Sequence, residues 1–363
     1  MKPFSPLYFI KENKARCILL MFMIFLSYGI YLGGLYITNP MDNWKVPLAY
    51  YEQIACVHPA ASDDEEFTEY EAFKRELQQN EQVTVLELGL HNTLNWKTVM
   101  GFTSGSVTFA FQTPEDFRTY CDYMDIQCDF DAVRSGSIVM SERYARNLGL
   151  SVGDTIDKDY KDTIYDSYTL HALTQEEGYI LYQIDNEPYD SQNLMILGNG
   201  ISGQELYDII YDVQSRHNVS VYDMLEQQIR PQFEIFEVIY GFVVIFLSMI
   251  LAITIHAAFV GMYQRRSFEF AVYRAIGVAR KRIIGKIIGE LLLMDGITLL
   301  VGGAVFFLGL YLFNNMMLYP VGKYLCYFDP LALLGLVLCN AIVLIPLIVT
   351  RSRQLLRADI CEY

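Results

Sequence analysis

Four long apolar runs alternate with polar segments along the chain, at 17–37, 238–263, 287–313 and 331–349. Each is close to the roughly 20 residues that an α-helix needs to cross a bilayer. The segment 38–230 instead carries short apolar runs separated by polar turns, which is typical of a water-facing domain with strands and amphipathic helices. The chain is therefore predicted to be a membrane protein with four transmembrane α-helices, and a large α+β domain is inserted between helices 1 and 2.

Local signals predict the elements of that domain. Thr113 is an N-cap followed by Pro114, and Ser141 caps a helix that Gly149 ends. A capping box at 62–65 predicts a helix to about residue 80, and a further helix is predicted over 202–217. The predicted strands are Gln82–Leu88, Ser106–Phe111, Ile138–Met140, Thr163–Leu173, Tyr179–Ile184 and Leu194–Leu197.

The basic residues give the orientation. Of the 27 Lys and Arg residues, four lie in 1–16, seven in 264–286 and three in 350–363. The segment 314–330 carries only Lys323. Because cytoplasmic loops of membrane proteins are enriched in Lys and Arg, we expect both termini and the loop 264–286 in the cytoplasm. The domain and the segment 314–330 are then extracytoplasmic.

The domain is strongly acidic. Segment 39–230 holds 33 acidic and 12 basic residues, and the whole chain has a net charge of −15. This charge excludes a general nucleic-acid binder, which needs excess Lys and Arg to neutralise phosphates. The acidity fits either a well-solvated surface or attraction of a cationic ligand such as a peptide. A disulfide between Cys121 and Cys128 is left open.

No catalytic motif is present. The sequence contains no G-x-S-x-G, H-E-x-x-H or Walker A pattern, and its five histidines form no i, i+4 pair. We therefore predict no catalytic residues, no metal site and no ATP hydrolysis by this chain.

The segment that follows the second apolar run has a distinctive pattern. Apolar residues recur at Phe268, Val272 and Ile276, basic residues lie on the opposite faces, and Gly277 interrupts the periodicity. This predicts a short amphipathic helix at the membrane surface, a turn, and a second helix that runs into the third span. A simple interfacial anchor would show the same composition.

The residues of this loop resemble the signature of the FtsX/MacB-type, or type VII, ABC transporter permeases. In that family the loop reads approximately R-x-x-E-[IFV]-x-[VIL]-x-R-A-[IVL]-G-[AV], followed by basic residues, a Glu and a Gly-Gly pair. The segment 137–156, which ends in a "VGDTI" turn, also resembles the extracytoplasmic domain of the family. The matching loop positions are Arg266, Glu269, Arg274, Ala275, Ile276, Gly277, Glu290, Gly302 and Gly303.

The resemblance implies a non-catalytic permease subunit in a bacterial plasma membrane. Two copies of a separate ATPase, which hold ATP and Mg²⁺, and a second permease subunit, the same or homologous, would complete the transporter; this chain would need no cofactor. ATP hydrolysis would move the outer domain for export, extraction or resistance involving a peptide, lipid-linked or drug-like substrate. The coupling helix would contact the ATPase through Arg266, Phe268, Glu269, Val272, Arg274, Ala275, Ile276 and Gly277.

Two other functions remain open: an FtsX-like regulator of an extracellular cell-wall hydrolase, and a ligand-sensing membrane receptor. Three polar residues lie inside the predicted spans. For His256 we expect a buried, hydrogen-bonded side chain. Glu290 and Asp295 are expected near the cytoplasmic end of the third span, where they snorkel or contact the ATPase.

Overall fold

The computed structural model describes residues 10–11, 13–60, 64–89, 92, 94–157, 166–187, 191–217, 219–223, 230–264 and 266–357. The chain forms two compact units. The helical unit comprises Met1–Thr38, Val238–Phe313 and Cys326–Tyr363. The mixed unit comprises Asn39–Glu237 and Asn314–Leu325.

Long helices account for most of the helical unit. A π-helical stretch, Thr298–Gly302, connects two of them so that one continuous rod results. The helices are α1 (Lys14–Phe25), α2 (Ser27–Tyr51, which continues into the mixed unit), α7 (Arg230–Gln264), α8 (Ser267–Ala275), α9 (Arg280–Ile297), α10 (Gly303–Phe313) and α11 (Pro330–Arg357).

Three helices in the described part of the chain are long and apolar enough to cross a membrane: Phe233–Gly261, Arg280–Val321 and Pro330–Thr350. They include the second, third and fourth predicted spans. The first predicted span, 17–37, is helical but is divided between α1 and α2 at Leu26. The structure thus shows three apolar helices preceded by an α+β domain, and a fourth spanning helix stays a prediction.

Two main sheets and a hairpin form the mixed unit. One sheet has the order β11-β1-β10-β2 and is antiparallel, and the other has the order β5-β9-β6-β8-β7 and is mixed. Strands β3 and β4 form the separate hairpin. The strands are β1 (Ile54–Pro59), β2 (Val83–Glu87), β3 (Asn95–Lys97), β4 (Thr103–Gly105), β5 (Val107–Phe111), β6 (Ser137–Ser141), β7 (Thr155–Ile156), β8 (Tyr168–Thr174), β9 (Ile180–Ile184), β10 (Leu194–Gly198) and β11 (Val221–Asp223).

Four helices pack on these sheets: α3 (Asp64–Gln79), α4 (Pro114–Met124), α5 (Glu142–Leu148) and α6 (Gly203–His217). The predicted caps are confirmed. The Asp116 backbone N–H donates to Thr113 Oγ1 at 3.2 Å, and Gly149 ends α5 with φ of 75°. The capping box at 62–65 lies partly outside the described residues. Cys121 and Cys128 are free thiols; Cys121 is fully buried within an aromatic core, and Cys128 packs against that core.

Two segments have structure that was not predicted. Residues 221–223 form a strand that pairs with β1. The reason is that Val57 and Pro59 offer an edge that would otherwise stay unpaired. Residues 314–325, which lie between the third and fourth predicted spans, form part of the mixed unit, where Asn314 exchanges two hydrogen bonds with the Leu325 backbone.

Candidate functional site

The candidate site is the short helix α8 and the turn that follows it. Glu269 lies in the first turn of α8 and Arg274 in the last turn, which is the favourable arrangement for the helix dipole. Gly277 then adopts φ of +86°, a conformation that glycine enters without steric cost. The chain reverses there, so that α9 starts at Arg280. The predicted helix, turn and second helix are confirmed.

An ionic network holds one face of α8 against α9. Arg266 donates from Nε and Nη2 to the two carboxylate oxygens of Glu269, at 2.9 and 3.2 Å. The same guanidinium donates from Nη1 and Nη2 to Glu290 on α9, at 2.8 and 3.4 Å. The Arg266 side chain is 6% exposed and that of Glu290 is 0% exposed. One planar guanidinium therefore links two carboxylates in the fork geometry that only arginine offers.

Lys286 completes the network. Its ammonium group lies 3.3 Å from Glu269 Oε1 and donates to the Tyr273 hydroxyl at 3.1 Å. Both cations also lie over aromatic rings, Arg266 at 5.0 Å from the Phe270 centroid and Lys286 at 4.6 Å from the Tyr273 centroid. Two cations and two carboxylates balance, so that the buried charge is compensated.

The electrostatics of the loop agree with this pairing. Burial opposes charge on Arg266, yet the hydrogen bonds and charges of Glu269 and Glu290 outweigh it and raise the Arg266 pKa. Burial likewise favours neutral Glu269, but Arg266 and then Lys286 overcome it and lower the Glu269 pKa. Both groups are charged at neutral pH.

The opposite face of α8 is apolar and open. Phe268 is 74% exposed and Ile276 is 70% exposed, and Val272 is exposed between them. Spaced four residues apart, the three side chains form one ridge along the helix. The first three residues of α9, Arg280, Lys281 and Arg282, are exposed as well.

The residues predicted to contact an ATPase thus fall into two groups. Phe268, Val272 and Ile276 point outward, whereas Arg266 and Glu269 bond to each other and to α9. Ala275 and Gly277 are exposed and Arg274 is half-buried. Phe270, Tyr273 and Lys286 also belong to the site, although they were not predicted as site residues. The available signal was the i, i+4 pair of Lys286 with Glu290, which places both on one face of α9.

Glu290 and Asp295 are buried among the helices of the helical unit, whereas His256 is half-buried. Arg266 binds the Glu290 carboxylate there, and Asp295 is 8% exposed. A contact of either carboxylate with an ATPase stays a prediction. Within the described residues, Asp295 Oδ1 and His256 Nδ1 have no hydrogen-bond partner, so the expected hydrogen bond of His256 is not made at this nitrogen.

Comparisons with known proteins identify a family match and a similar solved structure. Residues 239–355 match the family model of the FtsX-like permease C-terminal domain. A crystal structure of a domain of a permease protein from Porphyromonas gingivalis matches with 14% identity, 48% coverage of this chain, 89% coverage of that chain and a TM-score of 0.27. Among curated proteins, none matches this sequence.

The apolar helices and the matched segment define a membrane protein of the permease type. Its C-terminal region, which holds the ionic network and the exposed ridge, matches the FtsX-like permease C-terminal domain. The family resemblance found in the loop sequence is confirmed.

Proposed function

We propose that this chain is the permease subunit of an ABC transporter that works by mechanotransmission. A separate ATPase subunit binds and hydrolyses ATP, and α8 transmits its motion to the helical unit. The observation that carries the proposal is the division of α8 into a face locked by Arg266 and a free apolar ridge. A helix of this kind can receive force on one face and deliver it through the other.

The ridge is the proposed ATPase contact. Phe268 and Ile276 expose large apolar surfaces, and such side chains anchor protein interfaces when a groove covers them. The exposed cations Arg280, Lys281 and Arg282, at the start of α9 just after the turn, add positive charge, which favours an acidic groove in the partner. Arg266 and Glu269, on the opposite face of α8, then hold the helix against α9.

The network makes the transmission stiff. Without the ionic network, α8 would be joined to α9 only through the turn at Gly277 and the apolar packing of Phe270, and force on the ridge would bend that turn. Bonds to Glu290 and from Lys286 tie α8 to α9 at two points instead. Because α9 begins the apolar helix Arg280–Val321, displacement of α8 moves a proposed membrane span.

The complete transporter is proposed to hold two ATPase subunits and two permease subunits in a bacterial plasma membrane. Phe242, Phe246 and Ile253 on α7 are exposed in the single chain, and they supply an apolar face for lipid or the second permease. The outer domain then moves for export, extraction or resistance involving a peptide, lipid-linked or drug-like substrate. The basic-residue bias supports cytoplasmic termini.

The test co-expresses the permease with each ATP-binding-cassette ATPase subunit of the same organism that lacks membrane spans of its own, and follows the ATPase that co-purifies. Phe268→Ser and Ile276→Ser should each weaken co-purification about tenfold, because a buried large apolar side chain contributes roughly 1.5–3 kcal/mol. Stimulated ATPase activity should fall in parallel. Phe67→Ser, which removes an exposed aromatic ring from the mixed unit, is the matched control. Full association and stimulation in both ridge variants would refute the proposal.

A further inference from the structure

The loop that joins β3 to β4 ends in an apolar tip. In residues 98–102 the Thr98 backbone N–H donates to the Phe102 carbonyl at 2.8 Å, and Gly101 takes φ of +89°. Met100 is 45% exposed and Phe102 is 62% exposed. Two large apolar side chains thus project from a tight, well-bonded turn of an otherwise acidic domain.

One hydrogen bond ties this tip to a point where the chain leaves the membrane region. The Val99 backbone N–H donates to Asn39 Oδ1 at 3.1 Å. Asn39 lies two residues after the predicted span 17–37 and is the first residue of the mixed unit. The same side chain donates from Nδ2 to the Tyr324 carbonyl at 2.7 Å.

A second, independent connection leads to the apolar helix Arg280–Val321. Asn147 on α5 accepts from the Lys97 backbone N–H at 2.8 Å and donates to the Lys97 carbonyl at 3.0 Å. It also donates to the Gly322 carbonyl at 3.2 Å. Gly322 directly follows that apolar helix. Both connections place the tip beside residues that directly follow predicted spans in the sequence.

The surroundings have the composition of a membrane interface. Tyr319 and Tyr324 stack at 5.7 Å between centroids, and Arg143 lies 4.8 Å from the Tyr324 centroid. Lys97 is exposed, and Lys323 follows Gly322. Tyrosines are enriched at both membrane–water interfaces, and the long side chains of Lys and Arg can reach lipid headgroups from there.

We propose that the hairpin tip, Val99–Phe102, inserts into the extracytoplasmic lipid interface, with Lys97 and Lys323 on anionic headgroups. Met100 and Phe102 are the inserted side chains. The tip gives the mixed unit a contact with the bilayer besides its covalent connections. The inference rests on the membrane assignment and requires no ATPase.

The test uses the full-length chain in nanodiscs of phosphatidylcholine and phosphatidylglycerol, with acyl chains brominated near the headgroup. Phe102→Trp should lose about half of its added emission in brominated discs, because an inserted side chain lies within a few Å of the acyl chains. Phe67→Trp, also exposed in the mixed unit, is the control and should be unaffected. Emission of the native Trp44 and Trp96 is subtracted with the unsubstituted chain.

Two outcomes decide the proposal. Equal quenching of Phe102→Trp and Phe67→Trp would overturn insertion, and Met100→Trp repeats the measurement should Phe102→Trp fail to fold. Quenching of Phe102→Trp should be weaker in discs without phosphatidylglycerol. Adding Lys97→Gln and Lys323→Gln to that chain should abolish this dependence on phosphatidylglycerol. If the Phe102→Trp chain that retains Lys97 and Lys323 shows the same quenching with and without phosphatidylglycerol, the headgroup contact is overturned. Neither result depends on the ATPase experiment at Phe268, so the two proposals fail separately.

Discussion

The guanidinium of Arg266 lies 2.8 Å from Glu290 Oε2, and both side chains are withdrawn from solvent. The two residues are 24 positions apart and belong to different helices. Their pairing fixes which face of α8 is turned away from α9. It therefore determines that Phe268 and Ile276 form the free surface.

Removing one partner of this pair should be costly. Arg266→Ala leaves Glu290 buried without its counter-charge, a loss that amounts to about 3–5 kcal/mol for a buried pair. We expect a lower midpoint of thermal aggregation in detergent and faster proteolysis within 266–276. The double variant Arg266→Met with Glu290→Leu removes both charges and should recover much of the loss. A double variant no better than Arg266→Ala would contradict the paired-charge interpretation.

The turn at Gly277 should tolerate side chains only with strain. Its φ of +86° is unfavourable for a β-branched residue. Gly277→Val should therefore add about 1–3 kcal/mol of local backbone strain. Gly277→Asn should be milder, since Asn enters this region more readily. Co-purification of the ATPase subunit measures the effect. Gly285→Ala on α9, where a Cβ meets nothing within 4 Å, is the control and should bind normally. Equal binding by Gly277→Val would show that the turn is not required.

Gly322 should be intolerant of even a methyl group. An added Cβ would lie 2.3 Å from the Asn147 backbone nitrogen and 2.5 Å from the Arg143 carbonyl oxygen, and φ is +63°. Gly322→Ala must therefore displace the segment 319–324 from α5. Amide hydrogen exchange of this segment should accelerate about tenfold or more, since 1.4 kcal/mol of local strain is a factor of ten. Gly309→Ala, which has open space around it, should leave the exchange unchanged.

Asp185 should make the mixed unit less stable as the pH rises. Burial raises the Asp185 pKa. Hydrogen bonds from Gln183 and Tyr168 offset only part of this rise. Asp185 Oδ2 has no hydrogen-bond partner among the described residues. The folded carboxyl therefore binds more protons than the unfolded one, so the free energy of unfolding falls from about pH 4 up through the raised pKa.

Asp185→Asn should remove this dependence and raise the thermal midpoint at neutral pH by about 2–4 °C, the shift expected for 1 kcal/mol. Thermal melts of the full chain in detergent at several pH values measure it. The exposed Asp122→Asn is the control. Parallel pH profiles for the unsubstituted chain and Asp185→Asn would contradict the prediction.

The proposed orientation predicts which side of the membrane each unit faces. A cysteine at the exposed Gln204 should react with an impermeant thiol reagent in intact cells, whereas one at the exposed Lys281 should react only after permeabilisation. Signal from the native cysteines is subtracted with the unsubstituted chain. Labelling of Lys281→Cys from outside would reverse the topology and remove the basis for the cytoplasmic contact.

Local physics allowed much of the architecture to be read from the sequence. Apolar runs of bilayer length predicted the long helices because their composition alone decides where they are stable. Thr113 and Ser141 fixed helix starts, and Gly149 and Gly277 fixed ends, because a cap acts on backbone groups a few residues away. The α8 helix and its turn followed from the same short-range rules.

The tertiary structure decided what depends on distant partners. Residues 221–223 are a strand because β1, more than 160 positions earlier, offers an edge that local propensity does not encode. Segment 314–325 joins the mixed unit because Gly322 lies against α5. Likewise, the loop sequence shows that Arg266, Glu269 and Glu290 are available for ion pairs, but their pairing depends on the packing of α8 on α9. Charges of opposite sign can pair in many ways, and burial selects the one arrangement in which each buried charge is compensated.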